Sequence, residues 1–221
     1  MKLLLNALIK VVSGMAIICL LLFLPAGTWQ YPGAWLFMAL LFGPMLPLGA
    51  WLYFKAPALL EKRLKTDEKE KTQRGVVGFS ALAFVLSFVL AGLDFRFGWT
   101  TVPRAVVIAA AVVQLASYGI YALVMKQNAY LSRTVEVQEG QQVVDSGLYG
   151  IVRHPMYSAT VFMFLAMPLV LGSWIAFALM LTYPLALVKR IKNEEKVLSE
   201  GLPGYREYLE KVKYRLIPFV W

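Results

Sequence analysis

YSATVFMFLAMPLVLGSWIAFALMLTYPLALV, residues Tyr157–Val188, runs for thirty-two positions without one charged side chain. A bilayer crossing takes about 20 apolar residues, so the run is too long for one crossing and short for two. Gly172-Ser173 divides it into arms Tyr157–Leu171 and Trp174–Val188. A Gly-Ser pair followed by a tryptophan reads as a turn with an interfacial aromatic after it, which favours a tight helical hairpin over one interrupted helix. Two such short arms suit a locally thinned or water-accessible region. The ends of the run carry the chemistry. Arg153-His154-Pro155-Met156-Tyr157 leads in and holds the only histidine of the chain; Lys189-Arg190 leads out, with Glu194 four positions beyond Arg190. That spacing puts Arg190 and Glu194 on one face of a helix. Ionisable groups beside hydrocarbon point to a site before they point to packing.

The whole chain is of this kind. Its 221 residues are 59% hydrophobic with a mean hydropathy of +0.63, where soluble domains hold roughly 45–50% apolar residues. One cysteine, Cys19, and one histidine exclude an internal disulfide framework and make a zinc or haem site improbable. No metal site is expected. The net charge of +9 does not imply nucleic acid, because the basic residues flank apolar spans, where membrane orientation accounts for them.

Four further apolar segments precede the hairpin, at Leu5–Leu24, Trp35–Phe54, Val76–Leu93 and Ala105–Met125. The expected architecture is an all-α integral membrane protein of about six transmembrane helices with a cytoplasmic C-terminal helical tail. The first segment resembles a secretory signal, but the chain re-enters an apolar run at once, so a retained helix is expected. Six crossings place both termini and the 54–75 and 126–156 connections on one side. That side carries nineteen basic residues against Arg96 and Arg104 opposite, with Lys10 inside the first span. The positive-inside rule makes it cytoplasmic. Two regions are expected: 1–125, a four-span membrane region, and 126–221, a catalytic region with a cofactor-binding loop, the hairpin and an amphipathic tail. Glu61–Arg74 reads as a solvated helical connector, and Thr134–Gln138 as a short strand or extended segment. The tail is broken at Gly201-Leu202-Pro203-Gly204 and closes on Ile217–Trp221, an interfacial anchor. Trp29, Trp35, Trp99 and Trp174 read as belt residues.

No G-x-G-x-x-G or P-loop string occurs, and the polar segments are too scattered for a Rossmann-type domain. A nucleotide-bearing cofactor would have to be held by helix ends and the loop before them. Gly147-Leu148-Tyr149-Gly150-Ile151-Val152-Arg153-His154-Pro155-Met156-Tyr157, an apolar hairpin, Glu194-Glu195 and Gly204-Tyr205-Arg206-Glu207-Tyr208 together resemble the isoprenylcysteine carboxyl methyltransferase family, within a wider group that includes membrane phospholipid N-methyltransferases. The resemblance runs from Asn128 to Pro218. It implies S-adenosylmethionine as cofactor, with contacts at Gln141, Gln142, Val143, Val144, Tyr149, Arg153, His154, Pro155, Met156, Tyr157 and Glu194, and the acceptor-side arginine at Arg190. Gln141 stands where the family often has histidine, and the spacing from Glu195 to Tyr205 requires a small insertion around Leu202-Pro203.

Physical chemistry fits these roles. Glu194 can accept from ribose hydroxyls or an amino group, His154 can donate to a carboxylate, and tyrosines give flat walls to adenine. Arg190 offers a planar fork for an acceptor carboxylate. The expected acceptor is a lipophilic or lipidated molecule entering from the bilayer, among membrane lipids. The alternatives are a phospholipid N-methyltransferase or a thiol S-methyltransferase; behind them stand an NADPH-dependent membrane reductase, since sterol reductases share a similar C-terminal arrangement, and a non-catalytic lipid-binding protein. Read blandly, Arg153 and His154 are headgroup anchors and Arg190 and Glu194 an exposed ion pair.

Overall fold

The computed structural model describes residues 2–64 and 71–221. Helices α1 (Lys2–Ala26), α2 (Pro32–Lys55), α3 (Pro57–Leu64), α4 (Lys71–Phe97) and α5 (Arg104–Gln127) come first. An irregular stretch and a 3₁₀ turn at Gly147–Gly150 lead into α6 (Pro155–Val170), α7 (Trp174–Met180), α8 (Tyr183–Gly201) and α9 (Tyr205–Lys211). Among the described residues there is no strand. Thr134–Gln138 is irregular instead, because a lone two-residue period has no neighbour with which to form a ladder. Side chains hold it: Gln138 Nε2 donates to Tyr130 O at 2.5 Å, and the Gln138 amide to Gln141 Oε1 at 2.9 Å.

Among the described residues, α1, α2, α4, α5 and the α7–α8 pair taken end to end are long and apolar enough to cross a bilayer. They make this a multi-pass membrane protein by length and composition. The sixth apolar segment, α6, has 16 residues and is shorter than a full crossing. The hairpin is present, but its second arm is not one helix to Val188. Pro184 has no N–H to give the carbonyl of Met180, so α7 stops and α8 restarts beyond Leu181-Thr182. Of the expected connector, Glu61–Leu64 closes α3 and Lys71–Arg74 opens α4; 65–70 lie outside the described residues. Within that connector Leu64 is partly buried against the cluster of Leu52, Leu59, Leu60, Val124 and Met125.

Helix ends are fixed at one pole of the bundle. Gly172 adopts φ +85° at the hairpin turn, a conformation glycine takes without strain. Ser173 then caps α7, accepting from the Ala176 amide at 3.1 Å, while its hydroxyl donates to the buried Asp94 at 2.5 Å. The same carboxylate accepts from the Thr100 amide and hydroxyl at 2.7 and 2.5 Å. One buried acid thus ties α4, the α4–α5 loop and the hairpin together. Tyr31 adds a bond to Leu171 O at 2.6 Å. Trp29, Trp35, Trp99 and Trp174 are partly exposed around this pole. Lys10, inside the first span, donates from its ammonium to Leu64 O at the end of α3.

Candidate active site

At the opposite pole, α5 lies along α6, while α4 lies along α1, α7 and α8. A cavity of about 540 Å³ opens between these groups, within the range of roughly 300–1,000 Å³ usual for small-molecule sites. Its polar end is built by the loop after α5, the start of α6 and the middle of α8. Its apolar end is walled by Leu41 of α2, Val76, Ala81 and Phe84 of α4, and Met163 and Phe164 of α6. A second chamber of about 250 Å³ shares Leu41, Phe84, Met163 and Phe164 with it and continues between Ile18, Phe37, Phe88 and Met167.

Eleven of the twelve expected site residues line the main cavity: Gln141, Gln142, Val143, Val144, Tyr149, Arg153, His154, Met156, Tyr157, Arg190 and Glu194. Pro155 does not. It occupies the first turn of α6, where a missing N–H costs nothing and the fixed φ starts the helix.

Arg190 and Glu194 meet through a third side chain. The Tyr157 hydroxyl accepts from Arg190 Nε at 2.9 Å and donates to Glu194 Oε2 at 2.5 Å. Arg190 also donates from Nη2 to Arg133 O at 2.8 Å. This is not an exposed ion pair; the guanidinium and the carboxylate are poised on one phenol at the cavity wall. His154 departs from its expected role in one respect. Its Nε2 lies 3.3 Å from Glu195 Oε1, and its ring stacks on Tyr157 with centroids 5.6 Å apart. That leaves Nδ1 as the nitrogen available to a ligand.

Arg153 faces the same acid, with Nε 3.1 Å from Glu195 Oε1 but not aligned for a hydrogen bond, so charge holds the pair. Glu195 Oε2 accepts from Arg215 Nε at 2.9 Å. The backbone closes the arrangement: the Arg153 and His154 amides donate to Tyr214 O and Arg215 O, each at 2.9 Å. The tail is therefore strapped across the start of α6. The bland reading of Arg153 and His154 as headgroup anchors fails on burial, since they are 8% and 6% exposed.

Glu195, Arg215, Tyr205 and Tyr208 were not among the expected site residues. Glu195 carried a signal, a second acid beside Glu194 with basic residues in need of a partner. Arg215 had none, because pairing across twenty residues depends on the fold of the tail. Tyr208 donates to Tyr149 O at 2.8 Å, and Asn128 to the Tyr149 hydroxyl at 3.0 Å. Burial pushes the Tyr149, Tyr205 and Tyr208 hydroxyls above the usual phenol range, so they remain protonated. Also unforeseen is the share of the N-terminal region: α2, α3, α4 and α5 all contribute walls.

Residues 106–200 match the isoprenylcysteine carboxyl methyltransferase family. The match begins within α5, ahead of Asn128, and ends before Gly204-Tyr205. Over 91 residues the chain is 33% identical to the Delta(14)-sterol reductase of Mus musculus, an overlap covering 40% of this chain and 22% of that protein. The chain thus spans under a quarter of the length of that curated relative. Residues 106–200 are thus related to the isoprenylcysteine carboxyl methyltransferase family.

Proposed function

We propose, from the family relationship of residues 106–200, that this protein transfers a methyl group from S-adenosylmethionine to a lipophilic acceptor, by carboxyl O-methylation of an isoprenylcysteine-like thioether acid. The observation that carries the reading is the Tyr157 oxygen shared by Glu194 and Arg190, at the junction of a polar chamber and an apolar one. The cavity residues fit the donor's chemical groups. Glu194 offers a carboxylate to ribose hydroxyls or the amino group, and His154 offers Nδ1 to the carboxylate. Tyr149, Met156 and Tyr157 supply flat or polarizable walls. The loop Gln141–Val144 supplies backbone and amide groups. When bound, the donor supplies an electrophilic methyl on a sulfonium.

The remaining work falls to this chain. Arg190 orients the acceptor carboxylate, its guanidinium held at a fixed angle by Tyr157 and Arg133 O. An ionised carboxylate needs no general base, so rate comes from alignment and from excluding water around it. The chamber behind Met163 and Phe164 takes the acceptor's hydrocarbon. In this reading all six apolar segments cross the bilayer, the cavity and both termini face the cytoplasm, and 126–221 forms the catalytic region against the 1–125 membrane region.

One observation favours a second reading, a membrane reductase using NADPH: the 33% identity to a protein named as a sterol reductase. Calorimetry on detergent-purified protein separates the two. Saturable binding of S-adenosylmethionine is expected, with transfer of labelled methyl to a thioether acid. Binding of NADPH alone, or of neither molecule, would sink the methyltransferase reading.

A further inference from the structure

We propose that Arg63, on the short helix α3 ahead of the family-related segment, is a positioning residue that holds the loop 129–144 across the cavity. The functional consequence rests on reading Gln141–Val144 as part of the donor site. The last turn of α3 meets this loop directly. Lys62 Nζ donates to Ala129 O at 3.3 Å, and Arg63 Nη1 to Ser132 O at 3.2 Å. Arg63 Nη2 donates to the Tyr121 hydroxyl of α5 at 2.5 Å, its guanidinium 5.7 Å from that ring's centroid. From the opposite wall, Arg190 Nη2 takes Arg133 O at 2.8 Å. Two adjacent carbonyls are thus held by guanidiniums from two different elements, α3 and α8.

Elsewhere the loop is held by side chains, with Val137 and Val143 packed against Leu202, Tyr205 and Tyr208. Gln141 N donates to Gln138 O at 3.1 Å. Tyr130, which lies between the held carbonyls of Ala129 and Ser132, connects onward through side chains. Gln138 Nε2 donates to Tyr130 O, and the Tyr130 hydroxyl donates to Gly140 O at 3.1 Å. The Gln138 amide donates to Gln141 Oε1 at 2.9 Å. A shift at Ser132 therefore moves Gln141 and the segment after it. The base of the latch is firm, because Leu59 and Leu60 pack in one buried cluster with Tyr149 and Met156, both cavity residues. The planar fork holds Ser132 O and Tyr121 Oη from two separate nitrogens, where a lysine has one nitrogen to divide between them.

The test uses the full chain in detergent as Arg63→Ala, Arg63→Lys and Tyr121→Phe. Hydrogen exchange without ligand is read over 129–144 and over α5 and α6, and S-adenosylmethionine affinity is read by calorimetry. Arg63→Ala should speed exchange in 129–144 by about tenfold or more, the scale of a lost charged hydrogen bond, with α5 and α6 unchanged. Donor Kd should rise by a similar factor, and Arg63→Lys and Tyr121→Phe should fall between. Unchanged exchange in the loop overturns the proposal, as does faster exchange spread through α5 and α6, which would make Arg63 a general structural residue. Loosened exchange with unaltered donor affinity also overturns the positioning role. If wild-type protein binds no S-adenosylmethionine, the proposed function fails, while the exchange arm still decides whether Arg63 holds the loop.

Discussion

Replacing Glu195 with glutamine removes one negative charge at nearly constant volume from the buried cluster beside the cavity. Oε1 stands 3.1 Å from Arg153 Nε, and both side chains are 8% exposed. At that distance and an effective dielectric of about 20, the attraction is about 5 kcal/mol before desolvation is subtracted. Arg215, 29% exposed, contributes less than about 1 kcal/mol on the same carboxylate because water screens it. Removing one partner of a buried pair leaves the other charge uncompensated, and such losses run at about 3–5 kcal/mol. We expect about 3 kcal/mol here, since glutamine still offers Arg215 and His154 an acceptor. For a chain of this size that corresponds to a drop in Tm of roughly 6–12 °C. The assay is thermal unfolding of the purified variant in detergent, followed by intrinsic tryptophan fluorescence. Adding Arg153→Met should recover part of the loss, because the stranded cation is then gone as well. A Glu195→Gln midpoint within about 2 °C of wild type would refute the reasoning, showing that the cluster is hydrated and contributes no net stability.

Three other outcomes are expected. Asp94→Ala strands the donors of Thr100 and Ser173 at the other pole and should cost about 2–4 kcal/mol, read in the same unfolding assay, with donor affinity preserved. Arg190→Lys and Arg190→Ala should both lose at least about tenfold in turnover at saturating S-adenosylmethionine, because the planar fork is lost in each, beyond any loss of donor affinity from freeing Arg133 O and Tyr157; full turnover by Arg190→Ala would remove it from the reaction. Reporter fusions at the two chain ends should both read cytoplasmic, as the asymmetry of basic residues requires, and opposite readings would defeat the six-crossing topology.

The membrane class and the long helices were legible in the amino-acid order because hydrophobic length is a local property: a bilayer demands about 20 apolar residues, and each segment meets or misses that alone. The Gly172-Ser173 turn was legible for the same reason. So was the sharing of one face by Arg190 and Glu194, which follows from helical periodicity. The break before Pro184 was equally local, but Leu181-Thr182 lay inside an unbroken apolar run that masked it. The fold alone decided which polar groups meet. Glu195 finds Arg153 and His154 across some forty residues and Arg215 across twenty, Arg63 reaches Ser132 across sixty-nine, and Tyr157 stands between Arg190 and Glu194. No periodicity encodes these distances, because they depend on how helices pack and where an irregular loop is pinned. The same holds for the apolar chamber, whose walls come from α1, α2, α4, α5 and α6. Apart from Gln114 of α5, each wall residue looks in sequence like any lipid-facing one, since lipid and a packed cavity present the same apolar chemistry, and only tertiary placement tells them apart.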